Sequence, residues 1–313
     1  MTNNNKLCVG IDIGGTNTVF GLVNNLGECI EEVKIKTSDY PIVDDFVLEV
    51  SNKIKTMLAN HPTKHVLGIG IGAPNGNYYS GSIDFAPNLQ WKGEVPLVKL
   101  FSSYFDIPIV LTNDANAAAM GERIYGSAQG IDDFIMVTLG TGLGSGFVIN
   151  GEIVYGNDGF AGELGHTIIE KDGRLCGCGR NGCLETYVSA TAIVNSMKEL
   201  IQNGHKSSLC SISDISSKSI SDAALDGDKA ALLVFDMTAQ KLGFALANTV
   251  AITSPKLIVL FGGLAESGDL IIQPTKAYME KYLLDVFKNK IEIVPSQLMS
   301  DHAAILGASS LVW

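Results

Sequence analysis

The stretch Leu7-Cys8-Val9-Gly10-Ile11-Asp12-Ile13-Gly14-Gly15-Thr16-Asn17-Thr18-Val19-Phe20-Gly21-Leu22-Val23 decides the fold class. Leu7, Val9, Ile11 and Ile13 alternate with Cys8, Gly10 and Asp12, the period of a half-buried strand. The run enters a glycine turn, returns as a second apolar strand from Val19 to Val23, and turns again at Asn24-Asn25-Leu26-Gly27 into a third strand through Val33 and Ile35. Such a strand, glycine turn and returning strand can bring backbone N–H groups and a hydroxyl to phosphate oxygens, with Asp12 facing a metal-bound phosphate. No Gly-Lys-Ser/Thr follows, so this is not a Walker loop, and no helix follows, so it is not a dinucleotide fingerprint. A plain hairpin turn is the alternative.

The pattern recurs at Phe134-Ile135-Met136-Val137-Thr138-Leu139-Gly140-Thr141-Gly142-Leu143-Gly144-Ser145-Gly146-Phe147-Val148. The two copies are too far apart for a solenoid repeat, and they imply two halves of similar architecture facing one nucleotide. Between them, Phe46, Val50, Ile54 and Leu58 mark an amphipathic helix ended by Pro62, and Val66 to Ile71 reads as a strand. A long loop then carries Gly72-Ala73-Pro74-Asn75-Gly76 and Ala86-Pro87-Asn88-Leu89-Gln90-Trp91, and such length points to function. Asn88 is its candidate polar contact or, equally, a turn cap. Ile107 to Leu111 is the next strand, followed by Thr112-Asn113-Asp114-Ala115-Asn116-Ala117, a helix start. Ligands of open α/β sheets sit beyond the carboxyl ends of strands, where Asp114 falls. It is either a general base or a helix cap.

Beyond the second hairpin come Gly162-Glu163-Leu164-Gly165-His166 and Cys176-Gly177-Cys178-Gly179-Arg180-Asn181-Gly182-Cys183-Leu184-Glu185. One imidazole and three thiols, from His166, Cys176, Cys178 and Cys183, match a closed structural zinc site, which folds a loop and does no chemistry. A disulfide with a spare thiol, or small buried hydrophobes, would use the same residues. Glu163 and Glu185 bracket the ligands, so whatever orients the loop orients them. Val188 to Ile201 fits a helix, and residues 204–221 form a serine-rich surface loop with room for a short helix. Ala231 to Val250 keeps a helical stripe, and Leu257 to Phe261 is a strand ending at Gly262-Gly263, where backbone could approach adenine or simply turn. Asp301 to Leu311 reads as a small apolar helix returning to the first domain.

At 313 residues the chain calls for two domains, and 46% hydrophobic residues suffice for both cores. The domains are expected at 1–112, with 301–313 packing back on it, and at 113–300. No apolar run reaches the length of a membrane span, and the polar start is not read as a signal peptide. Cys8, Cys29 and Cys210 lie apart from the cluster, which argues against a disulfide framework and for a reducing, cytoplasmic setting. A formal charge of -11 without a basic block argues against a nucleic-acid surface.

With these motifs in this order, the chain resembles the ROK family of sugar kinases and related repressors over nearly its whole length, its bacterial glucokinases most of all. The resemblance implies an α/β, two-domain actin/hexokinase-like (ribonuclease H-like) fold with a cleft between the domains. It implies ATP-dependent phosphorylation of the 6-hydroxyl of a hexose, glucose first, with Asp114 as the base. Asn88, Asn113, Glu163, His166 and Glu185 would hold the other hydroxyls, and His166 would also bind Zn²⁺ with Cys176, Cys178 and Cys183. Asp12, Gly14, Gly15, Thr16, Asn17, Gly140, Thr141 and Gly142 would surround the phosphates and Mg²⁺, with Gly262 and Gly263 near adenosine. A homodimer is usual for such relatives. Repressors of the family carry a helix-turn-helix ahead of the first loop, and the few residues before Lys6 leave no room for one. N-acetylglucosamine, N-acetylmannosamine, mannose, fructose or allose in place of glucose, and polyphosphate in place of ATP, differ by a few contacts that the sequence does not fix.

Overall fold

The computed structural model describes residues 5–298 and 302–313. The polar start at residues 1–4, and Asp301 at the head of the expected C-terminal helix, lie outside the described residues. The chain divides into two compact units, one of residues 1–130, 153–161 and 297–313, the other of residues 131–152 and 162–296.

The first unit begins with β1 (Lys6–Ile13), β2 (Asn17–Asn24) and β3 (Cys29–Lys36), the meander expected from the opening stretch. Helix α1 (Val43–Asn60) leads to β4 (His65–Gly72), and the glycine-proline loop folds into short strands β5 (Gly76–Asn77), β6 (Ser82–Asp84) and β7 (Glu94–Val95). Helix α2 (Leu97–Ser102), strand β8 (Ile109–Thr112) and helix α3 (Asp114–Tyr125) follow. β8 starts later than the expected Ile107 because Pro108 has no N–H to give; it offers only its carbonyl, to the N–H of Ile69 at 2.9 Å. The main sheet runs β3-β2-β1-β4-β8, antiparallel across the meander and parallel from β1 through β4 to β8.

The two faces of this sheet differ. Val9, Ile11, Ile13, Phe20, Leu22, Ile69 and Ile71 form one core with Phe46, Val50 and Ile54 of α1, the apolar stripe read from the sequence. On the other face Gly21, Gly10 and Gly70 stand side by side on three neighbouring strands. The C-terminal helix Ala303–Ser309 lies on this row. A Cβ on Gly10 would collide with the Ile305 carbonyl oxygen, and one on Gly70 with that of Ala308, so helix and sheet meet backbone to backbone.

The expected boundary after residue 112 does not match the packing, because α3 belongs with the first unit. Its small residues let the C-terminal helix approach closely: a Cβ on Gly121 would stand 2.9 Å from the Cα of Gly307. Residues 153–161 also return to this unit, where Asn77 donates to the Asp158 carbonyl at 2.8 Å and Tyr78 stacks on Tyr155 with centroids 4.2 Å apart.

The second unit starts with the hairpin β9 (Phe134–Leu139) and β10 (Leu143–Ile149), and β11 (Glu152–Ile153) ends its sheet. After α4 (Ala190–Gln202), the serine-rich stretch contains α5 (Ser217–Leu225), which reciprocal hydrogen bonds between Ser216 and Ser219 cap. Helix α6 (Lys229–Thr253), strand β12 (Leu257–Phe261), helix α7 (Asp269–Tyr282) and strand β13 (Glu292–Pro295) complete it. The sheet order β11-β10-β9-β12-β13 repeats the plan of the first, a hairpin joined to parallel strands. Helix α6 is long and apolar enough to cross a membrane by length and composition, which a count of uninterrupted apolar runs misses. Yet 61% of its apolar window is buried, and Val234, Leu242 and Leu246 pack with Val137, Ile258 and Leu260 in the unit's core.

Candidate functional site

The expected site residues fall into two groups, one in each unit. In the first, Asp12, Gly72 and Thr112 share a row at the carboxyl ends of parallel strands β1, β4 and β8. A Cβ on Gly72 would press on the Ala117 Cβ at 3.3 Å and stand 3.7 Å from both an Asp12 carboxylate oxygen and the Asp114 Cα, so this glycine borders both acids. Asn113, and not Asp114, caps α3, accepting from the Asn116 N–H at 2.7 Å. Asp114, the first helical residue, accepts from the Ala115 N–H at 2.8 Å.

Asp114 is open to solvent on one side, yet the bulk of protein around it removes enough water to raise its carboxyl above the usual range. Burial, and then the Asp114 charge, push Asp12 up to about 7. Two carboxylates so placed, with the charged form disfavoured, are an oxygen donor set suited to a hard cation such as Mg²⁺.

The β1–β2 turn is closed by the Gly14 N–H donating to the Asn17 carbonyl at 2.9 Å, with Thr16 exposed and Asn17 opening β2. Gly15 faces the backbone carbonyl of Asn88 and has no room for a Cβ. Asn88 is exposed just ahead of two buried anchors, Leu89 and Trp91, the latter donating to the Tyr40 carbonyl at 3.0 Å and packing on Phe46. Its loop is thus fixed against the first hairpin.

In the second unit, the β9–β10 turn carries Gly140, exposed Thr141 and Gly142. The Gly140 N–H donates to the Gly142 carbonyl at 3.1 Å, and Gly140 itself accepts from the Ala190 N–H at 2.8 Å. Gly262 and Gly263 stand beside it, since β12 runs parallel to β9. Gly262 has φ 97°, and a Cβ there would sit 2.9 Å from the Leu139 carbonyl oxygen; a Cβ on Gly263 would meet nothing within 4 Å. The two turns thus leave open backbone at one end of the sheet.

Glu185 joins this hairpin to the cysteine loop. One of its oxygens lies 3.4 Å from the Leu143 nitrogen, and the other accepts from Cys176 Sγ at 3.0 Å. His166 stands between two acids, with Nε2 3.9 Å from Glu163 and Nδ1 3.8 Å from Glu185. These gaps are too long for hydrogen bonds and short enough for a hydroxyl to bridge.

His166, Cys176, Cys178 and Cys183 have ligand atoms all within 4.8 Å of one another. Tetrahedral sulfur ligands about 2.3 Å from zinc stand about 3.8 Å apart. Cys178 and Cys183 sulfurs are separated by 3.6 Å, and Cys176 Sγ and His166 Nδ1 by 3.7 Å. A disulfide would require about 2.05 Å, so zinc fits where the disulfide alternative does not. Hydrogen bonding to Arg180 draws the Cys178 thiol down to about 6, while burial pushes Cys176 up to about 12.

Two supporting residues carry no role in the sequence reading. Ser145 donates to the Gly162 carbonyl and accepts from the Leu164 N–H at 3.2 Å, tying β10 to the Glu163–His166 segment. Arg180 donates to the His166 carbonyl at 2.8 Å. Both lie inside quoted motifs, as polar side chains among glycines; that contrast is the signal they give.

Comparisons with known proteins agree on one family. The family model described as ROK family matches residues 8–313. The chain is 33% identical over 310 residues to a glucokinase of Thermotoga maritima, covering 97% of this chain and 96% of the relative. It is also 31% identical over 314 residues to a xylose repressor of Caldicellulosiruptor bescii, covering 97% and 77%. Among solved structures, a ROK family glucokinase from Streptomyces griseus in complex with glucose and AMPPNP superposes with TM-score 0.78 at 33% identity, covering 98% of this chain and 99% of that one.

Proposed function

Because the chain belongs to the ROK family, we propose that it is a hexose kinase that transfers the γ-phosphoryl group of ATP to the 6-hydroxyl of glucose. The observation that carries this reading is Asp114, a solvent-open carboxylate of raised proton affinity beyond the end of β8. A base works best when its pKa lies near the operating pH, and the surroundings of Asp114 move it that way. The Streptomyces griseus relative, solved with glucose and AMPPNP, supports glucose and ATP as the pair.

In this reading Asp114 accepts the proton of the attacking hydroxyl. Asn88, Asn113, Glu163, His166 and Glu185 are the groups that this reading assigns to the sugar's other hydroxyls. The separation of His166 Nε2 from Glu163 suits a hydroxyl shared between the two groups. His166 offers Nδ1 to the metal cluster and keeps Nε2 for the sugar. Backbone N–H groups of Gly14–Asn17 and Gly140–Gly142 position the phosphates, and Gly262 and Gly263 admit the adenosine. Asp12 would hold Mg²⁺, which when bound supplies charge neutralisation to the transferring phosphoryl group. Zn²⁺ on His166, Cys176, Cys178 and Cys183 is structural. Positioning and charge account for most of such catalysis.

The repressor relative supports a second reading, a sugar sensor without turnover. The paired Asp12 and Asp114 favour the kinase, since a sensor needs no base. A cytoplasmic homodimer completes the proposal, and size-exclusion chromatography checks the dimer. The deciding experiment is ADP release from Mg-ATP with glucose, mannose, fructose, allose, N-acetylglucosamine and N-acetylmannosamine in turn, using zinc-replete protein. Preferred turnover of glucose is expected. Preference for another sugar refutes glucose alone, and binding without turnover on any of them establishes the sensor.

A further inference from the structure

Cys29, Glu32 and His302 come together at the edge of the first sheet, apart from every residue assigned above. Their ligand atoms, one sulfur, one carboxylate oxygen and one ring nitrogen, all lie within 4.8 Å of one another. Cys29 and Glu32 are three positions apart on β3, and a regular strand would send them to opposite faces. A bulge prevents this. Gly21 pairs with Glu32 and Leu22 with Glu31, but Val23 pairs with Cys29, so Ile30 is an additional residue.

Glu32 therefore continues the row of Gly21, Gly10 and Gly70 on which the C-terminal helix rests. Cys29 turns to the same face: a Cβ on Gly21 would stand 3.0 Å from its sulfur and 3.4 Å from Ile305 Cδ1 of that helix. His302 precedes the helix and reaches the strand, its Nδ1 2.7 Å from Glu32 Oε2. The Glu32 and His302 side chains are each 34% exposed, and β3 is an edge strand, so an ion in solution can reach them.

We propose that Cys29, Glu32 and His302 bind a divalent ion of the zinc class, separate from the cluster at His166. A thiolate and an imidazole select zinc or cobalt over magnesium or calcium, and three protein ligands leave a fourth position for water. Ligands about 2.0–2.3 Å from such an ion stand about 3.3–3.8 Å apart. The 2.7 Å between His302 Nδ1 and Glu32 Oε2 and the 4.8 Å limit on all three separations bracket that range. The ion binds only where β3 and the helix are both in place, so it stabilises the folded chain in proportion to its concentration.

The test is a Co²⁺ titration of full-length, zinc-replete protein after removal of loosely bound metal. One further equivalent is expected, with a thiolate-to-cobalt charge-transfer band and a rise in the unfolding midpoint. Cys29→Ser should abolish the band, and Glu32→Gln and His302→Gln should each weaken binding at least about tenfold. Absence of the further equivalent overturns the proposal, and so does a band that survives Cys29→Ser, which would mark exchange at the other cluster. Should Cys29→Ser fold poorly, the two solvent-facing variants decide the matter: weakened binding in both supports the site, and unchanged affinity in both overturns it.

Discussion

The two units share one sheet plan and use its strand ends for different chemistry. In the first, parallel strands deliver Asp12 and the helix headed by Asp114, two acids whose proton affinities are both raised. In the second, the corresponding end of the sheet meets Glu185, an acid held by Cys176 and the Leu143 nitrogen. One unit stores a tendency to take up protons; the other spends its polar groups on holding the cluster of His166 and three cysteines in shape. A repeated topology thus fixes where chemistry occurs and leaves its kind to the segments that reach those ends.

This contrast can be broken by substitution. The largest effect is expected from Asp114→Ala, which should lower turnover by about 10²–10⁴ while sugar binding, measured by calorimetry, persists. Unchanged turnover would remove the base from the first unit. Asp12→Asn tests the stored proton affinity. The folded pKa of Asp12 is about 7 against an ordinary value of 3.8, so the folded chain binds this proton more tightly than the unfolded chain. That contribution to stability is complete below about pH 4 and is lost as pH rises through 7. In Mg²⁺-free buffer the variant should therefore gain stability on the wild type above pH 7, by up to about 4 kcal/mol, as read from urea midpoints. Wild-type and variant curves that stay parallel from pH 4 to 8 would refute it.

In the second unit, Cys178→Ser should reduce bound zinc and weaken sugar binding by about 10–100-fold. A variant that loses zinc and keeps full affinity would separate the clamp from the sugar-binding acids. The smallest effects come from one glycine of each turn. Gly15→Ala drives a methyl group into the Asn88 carbonyl and should cost about 1–3 kcal/mol. Gly140→Ala meets nothing within 4 Å and should stay within about 0.5 kcal/mol of wild type. Equal costs in thermal denaturation would show that the turns are packed alike.

Much of this was legible where a residue's role depends on its near neighbours. The alternation of Leu7, Val9, Ile11 and Ile13, the stripe of Phe46, Val50 and Ile54, and the clustering of His166 with three cysteines each announce themselves within a short window. What stayed hidden depends on partners far along the chain. Gly10 reads as a gap in an alternating strand, and only Ile305 explains it. The bulge at Ile30 leaves no mark in composition, and Glu32 with His302 is a pair separated by 270 positions. Helix α3 follows a strand so directly that a domain boundary looks natural there, whereas Gly307 holds it to the first unit. Within the candidate site, Asp114 and Glu185 were visible through their motifs, while Ser145 and Arg180 act through backbone carbonyls that no motif displays.

The glycine row has a consequence for the order in which the protein is made. Strands β1, β2 and β4 are made before the second unit, and the helix shaped to cover their bare face is made after it. The second unit has its entire core in hand once Ser296 has emerged, and domains generally fold as units during synthesis. The unit begun first is accordingly completed after the other, when residues 303–309 dock on the glycine row.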